Sequence, residues 1–247
     1  MTSDLPKIVL KDVACHFAIL GDFLEAVPYG NGHINDTYAA IFDQGGTNVR
    51  YILQRINDRV FREPLKLMEN IARVTSHIRA KLEAGGVEDT SREVMTLVKT
   101  LEGRDCHVDG EGHVWRCYIF VEGAKSYDII ESPAQAFQAA KAFGSFQRNL
   151  MDYAGPRLHE TIPSFHDTRV RFQALQRAIE NDRCNRAQLA REEVSFALAN
   201  EALVDSLLAL KARGEIPERI THNDTKLNNV LLDDVTGEGM CVLDLDT

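Results

Sequence analysis

The sequence predicts an α+β protein: an antiparallel-sheet first half followed by a mainly helical second half. Three observations carry this. "YAAIFDQGGTNVRYILQRI" (38–56) reads as two strands on either side of a Gly-Gly turn, a hairpin. Residues 132–214 hold three stretches of helical periodicity, the first opened by Ser132 and Pro133 and the last closed by Gly214. The composition changes after Gly123, so the chain is expected to divide into a sheet-rich part, 1–122, and a mainly helical part, 123–247.

Element by element, 63–82 reads as a helix with Leu65, Met68, Ile71 and Val74 on one face. "VMTLVKTL" and "HVWRCYIFVEG" are strand candidates on either side of the turn-rich "EGRDCHVDGEG". Trp115 and Tyr118 belong to the core of the second. In 132–153 Ser132 caps a helix, Gln135 completes a capping box, and Phe137, Ala140, Phe143, Phe146 and Leu150 form its apolar face. Residues 168–182 and 191–214 are two further helices. "NVLLDD" and "MCVLDLD" are strands joined by "VTGEG".

The chain has 247 residues, enough for one or two domains, and a net charge of −9 that speaks against a nucleic-acid surface. No apolar run approaches the ~20 residues of a membrane span, and the N-terminus has no signal-peptide pattern. Five scattered cysteines without a C-x-x-C pair read as reduced thiols, so a cytoplasmic location is expected, with no membrane and no nucleic-acid polymer as partner. His16, His77, His107, His113 and His159 show no metal-ligand spacing.

The chemistry concentrates in "THNDTKLNNVLLDDVTGEGMCVLDLDT" (221–247). His222, Asp224 and Asn229 stand in the spacing H-x-D-x-x-x-x-N, and Asp244 follows 15 residues later across a hairpin. This is the kinase pattern for transfer of a phosphoryl group: a carboxylate faces the acceptor hydroxyl, and an amide and a second carboxylate offer hard oxygens to Mg²⁺. Without the following strand pair, Asn223, Asp224 and Thr225 would read as turn and cap residues. Near the other end, Gly30 and Gly32 precede a strand in "PYGNGHINDTY", where backbone amides can approach phosphate oxygens. Most such turns are only hairpin connections.

Taken together, "YGNGHINDTY", "RYILQRIN", "SFHDT", "THNDTKLNN" and "LDLDT" resemble the aminoglycoside phosphotransferase-like kinases, and among these the bacterial N-acetylhexosamine 1-kinases. The resemblance implies a two-lobed protein-kinase-like fold with ATP and Mg²⁺ as cofactors. It also implies transfer of the γ-phosphate to the anomeric hydroxyl of N-acetylglucosamine or N-acetylgalactosamine. Asp224 would be the base, within the His222 motif; Asn229 and Asp244, with Asp246 a lesser candidate, would hold the metal. His33 and Asn35 would reach the sugar, as would His166 and Asp167 unless Asp167 caps the helix after it. Backbone at Phe120, Val121 and Glu122 would hold the adenine. Relatives of this kind continue for roughly another hundred residues, so the second lobe is expected to be truncated and the chain alone a poor catalyst.

The protein-kinase lysine of the third strand is missing. "YILQRI" offers Gln54 or Arg55, which strand alternation sends to opposite faces. Arg55 is preferred for its charge, with Glu69 as partner unless Glu69 is a solvated surface residue. Asn223 stands where protein kinases have Arg, so control by loop phosphorylation is not expected. The alternatives are a kinase of the same fold acting on an aminoglycoside, choline or homoserine, or a non-catalytic nucleotide- or sugar-binding protein.

Overall fold

The computed structural model describes residues 7–30, 32 and 34–247, without the side chain of residue 8. The architecture is α+β, as expected. The chain forms two compact units, 1–161 with 224–247, and 162–223. The expected division at 122/123 does not coincide with these units. The reason is helix α3 below, which packs on the preceding helix and on the final strand pair and so keeps residues 123–161 with the sheet.

The larger unit opens with helix α1 (Lys7–Ala14), then strands β1 (Asp22–Pro28), β2 (Asp36–Asp43) and β3 (Asn48–Arg55), helix α2 (Pro64–Ala84), and strands β4 (His107–Val108) and β5 (Val114–Ile119). These strands make an antiparallel sheet in the order β1-β2-β3-β5-β4. The β2–β3 hairpin turns at Gly45 and Gly46, both at positive φ that glycine adopts without strain. One sheet face is the core: Tyr38, Ala40, Phe42, Leu53, Trp115 and Cys117 pack under Leu10, Val13, Ala14 and Phe17. The opposite face carries Thr37, Gln54 and Arg116 in register across β2, β3 and β5. "VMTLVKTL" forms no strand; it touches its neighbours through single bridges, such as Leu97 to Tyr118.

In α2 the buried stripe is Leu67, Met68, Ile71, Val74 and Ile78, while Leu65 is 57% exposed. A three-residue repeat drifts off a 3.6-residue helix, which is why Leu65 leaves the face. The same correction holds for α3 (Pro133–Leu150): Ala139, Ala142, Phe146 and Leu150 are buried, whereas Phe137 and Ala140 are exposed. Ser132 caps α3 by accepting from Gln135 N, but Gln135 Oε1 accepts from Glu131 N rather than closing the box on Ser132. Strand β6 (Ala124–Lys125) joins β7 (Val230–Asp233) and β8 (Gly239–Val242) in a second, three-stranded sheet.

The smaller unit holds α4 (Thr168–Asn181), α5 (Arg191–Ala199) and α6 (Ser206–Ala212). The single helix expected over 191–214 breaks between Asn200 and Asp205. There Asn200 turns its amide onto Phe196 O, Thr168 Oγ1 donates to Val204 O, and Arg169 grips Asp205 and Glu201. No helix among the described residues is long and apolar enough to cross a membrane.

Candidate active site

In the larger unit, residues 224–229 fold back on themselves. Lys226 N donates to Asp224 O, and Leu227–Asn229 form one 3-10 turn. That turn brings Asn229 Nδ2 to within 2.9 Å of Asp224 O and 3.1 Å of Asp224 Oδ2. Asn229 is buried, whereas the Asp224 side chain is 40% exposed and pairs with Lys226 Nζ at 2.9 Å. Leu243 N donates to Asn229 O at 2.8 Å, so the chain leaving β8 runs beside the turn and delivers Asp244 next to it. Asp244 takes a left-handed backbone conformation, φ 59°. Its carboxyl pKa is pushed up, first by partial desolvation and then by the charge of Asp246; Arg116 and Lys226 oppose this, and Asp224 adds to it. Asp224, Asn229 and Asp244 therefore share one neighbourhood. His222 is buried at the end of the smaller unit, beside Asn223 at φ 64°.

These side chains suit Mg²⁺. Carboxylate oxygens from Asp224 and Asp244 and the amide oxygen of Asn229 are hard donors. The bonds from Asn229 Nδ2 to Asp224 turn Oδ1 the other way. Among the described residues no three His, Cys, Asp or Glu side chains gather as a metal cage. Mg²⁺ needs none, since it takes one or two carboxylates and completes its shell with water and phosphate.

Asp246 departs from its expected role as a metal oxygen. It is 2% exposed, and its two oxygens accept from Arg116 Nη1 at 2.6 Å and Nη2 at 2.9 Å. Asn35 departs likewise: Nδ2 donates to Asp246 Oδ2 at 2.7 Å and Oδ1 accepts from Asn57 N at 2.9 Å, so both ends of its amide are held within the protein. His33, the other expected sugar contact, lies outside the described residues. Asp167 caps α4, accepting from Val170 N at 3.0 Å, and His166 is an exposed residue of the smaller unit with its ring edge-on to Phe165.

The preference for Arg55 over Gln54 is also overturned. Arg55 lies on the α1 face, where it pairs with Asp36 (Nε–Oδ2 2.9 Å) and stands over the Trp115 ring. Glu69 pairs with Arg73 and His159, not with Arg55. Gln54 is on the opposite face, bonded to Thr37 Oγ1 and to Arg116 Nε. Sequence reasoning missed Arg116 altogether. Its signal was present: one cation in the otherwise apolar strand "VWRCYIF" must be paired if buried.

At the expected phosphate-binding glycines, Gly30 takes φ 79° just after β1, and Tyr29 N donates to Thr37 O. The Tyr29 ring meets Phe120 edge-on at 5.3 Å, which places Gly30 near segment 120–122. Arg50 stacks on Phe120 and binds Glu122, holding that carboxyl below the usual range. Arg92 donates to Glu122 O and to Asp233 Oδ2, and Asp234 N donates to Gly123 O. The segment is thus fixed to β7, which runs into the hairpin that carries the metal-binding candidates.

A glycine turn beside a fixed 120–122 segment, and a carboxylate loop beside a hairpin acid, define a kinase-like phosphotransferase. The sequence matches the phosphotransferase enzyme family (APH) over residues 25–247, and the chain belongs to that family. Among the solved structures that share its fold are two phosphotransferases. One is the spectinomycin phosphotransferase APH(9)-Ia in complex with ADP and spectinomycin. It is 16% identical with a TM-score of 0.54, over 99% of this chain and 70% of that one. The other is an aminoglycoside phosphotransferase from Alicyclobacillus acidocaldarius subsp. acidocaldarius. It is 12% identical with a TM-score of 0.57, over 100% of this chain and 67% of that one. Such identities speak for the fold alone.

Proposed function

We propose that the protein is an ATP-dependent sugar kinase that phosphorylates the anomeric hydroxyl of N-acetylglucosamine or N-acetylgalactosamine. The observation that carries the kinase reading is the contact of Asp224 with Asn229, with Asp244 delivered beside it by the Leu243 N to Asn229 O bond. The sugar rests on the likeness of "YGNGHINDTY" and "THNDTKLNN" to the N-acetylhexosamine 1-kinases.

In this reading Asp224 accepts the proton of the acceptor hydroxyl. The hydroxyl oxygen forms a bond to Pγ, the bond from Pγ to the β–γ bridging oxygen breaks, and ADP leaves. Asn229 keeps the base oriented through its amide. Lys226, 2.9 Å from Asp224, sets a cation beside the charge that develops on the phosphoryl group. Mg²⁺, held by Asn229 and Asp244, would neutralise phosphate charge. The glycine turn and segment 120–122 would hold the triphosphate and the base.

A second reading, an aminoglycoside kinase, is favoured by the two fold neighbours and by the net charge of −9, which suits a cationic acceptor. Incubation of the complete protein with ATP, Mg²⁺ and a panel of amino sugars and aminoglycosides, followed by phosphorus NMR of the products, separates the two. A sugar 1-phosphate is expected. Phosphate on an aminoglycoside alone overturns the sugar assignment, and phosphate on none of the panel overturns both.

A further inference from the structure

Asp244 and Asp246 leave β8 two residues apart, and a divalent cation would attract both. The structure separates them. Asp246 is held by both Arg116 amino groups and by Asn35. Arg116, equally buried, is fixed by Gln54 Oε1 at 2.8 Å, and Gln54 by Thr37 Oγ1 at 2.7 Å. Asn35 is anchored by Asn57 N. This network joins β2, β3, β5 and the 244–246 turn. Asp244 stands apart from it, with solvent access.

We propose that Arg116 is a positioning residue of the phosphotransfer site: by occupying both oxygens of Asp246 it keeps that carboxylate off the metal and leaves Asp244 to carry it, while Asp246 keeps Arg116 off Asp244. The inference rests on the kinase reading above. Gln54 faces the site without charge, and Arg116 stands directly opposite it on the next strand. A guanidinium suits the place because its fork occupies two carboxylate oxygens at once, which an ammonium does not.

The two halves of the pair act on the metal in opposite senses. Asp246→Asn leaves a buried guanidinium whose neighbouring anion is Asp244, so Arg116 competes with the metal for that carboxylate. Arg116→Gln leaves Asp246 uncompensated, so a second carboxylate joins the metal and draws it out of place. A purely structural pair would lower stability in both variants and shift metal affinity in the same direction in both.

The test is a Mn²⁺ titration followed by electron paramagnetic resonance, with and without ADP, alongside thermal unfolding. Mn²⁺ affinity is expected to fall about tenfold in Asp246→Asn. In Arg116→Gln it rises severalfold while kcat drops. Shifts of the same sign, or none, overturn the proposal. If either variant does not fold, Arg116→Lys, which frees one Asp246 oxygen, or Asp246→Ser stands in with the same expected sign, and the opposite sign or no shift overturns it. The titration reads out even if no acceptor is phosphorylated, so failure of the kinase reading and failure of this inference remain distinguishable.

Discussion

Arg116 and Asp246, 130 residues apart in sequence, meet as a two-point ion pair at 2.6 and 2.9 Å with both side chains shut away from water. Burying two charges costs several kcal/mol each, and close geometry with satisfied neighbours offsets that cost. Removing one member strands the other. Arg116→Met or Asp246→Ala should therefore destabilise the protein by about 3–5 kcal/mol in denaturant unfolding. The double replacement by apolar residues of similar volume should be far milder than the sum of the two. Additive losses would show that the pair is not coupled.

Asp224→Asn tests the base. The amide keeps an acceptor for Asn229 Nδ2 and nearly the same volume, so the loop is expected to fold unchanged. Turnover should fall by about 10²–10⁴-fold, the usual contribution of a positioned base, while ADP affinity, measured by calorimetry, stays within about twofold. Retained turnover would remove Asp224 from the chemistry.

The fold of the 224–229 loop follows from local contacts: five residues suffice to bring Asn229 back onto Asp224. The hairpins were legible for the same reason. Alternation stated that Gln54 and Arg55 diverge, but not which face is the core. That depends on α1, whose buried Leu10, Val13 and Ala14 cover the Trp115 side and leave Gln54 on the other. Nor could local pattern show that Asn35 and Asp246 are each other's partners, since 211 residues separate them. The break in 191–214 was hidden likewise, because Thr168 and Arg169 from another helix stabilise it.

Tyr118 lies on the Arg116 face of β5, and its hydroxyl is buried with no hydrogen-bond partner among the described residues. Desolvation raises its pKa far above the ordinary phenol, so it is neutral at any working pH. An unpaired buried hydroxyl costs about 1–3 kcal/mol. Tyr118→Phe should therefore stabilise the ligand-free protein by about 1 kcal/mol. A loss of stability would mean that the hydroxyl has a partner after all.

Asp167 gives a way to tell a cap from a sugar contact. Its carboxylate accepts from Val170 N at the start of α4. Asp167→Ala should cost about 0.5–2 kcal/mol of stability, and Asp167→Ser much less because serine also caps. The KM for the acceptor should be unchanged in both. A KM that rises in Asp167→Ser while stability holds would return Asp167 to the acceptor site.

Asp244 has the opposite balance: in the proposed kinase reading its carboxylate serves the metal at the expense of stability. Its pKa is raised above the ordinary 3.8 by desolvation and by Asp246 and Asp224. The folded protein thus holds that proton more tightly than the unfolded chain. Its contribution to stability is fully present below pH 3.8 and is lost as pH rises through the raised value. Above that value the wild type carries an unfavourable carboxylate that Asp244→Asn lacks. The variant should melt higher than the wild type at pH 7 without metal, by a margin on the order of 2 °C for a chain of this size. The margin should close on acidification through the same window. Saturating Mg²⁺ with nucleotide should reverse the order at pH 7, because the charge that destabilises the empty site is the one the metal requires, and only the wild type gains from binding. An Asp244→Asn variant that melts lower than the wild type under every condition would show that this carboxylate supports the fold, and would take it out of the metal's reach.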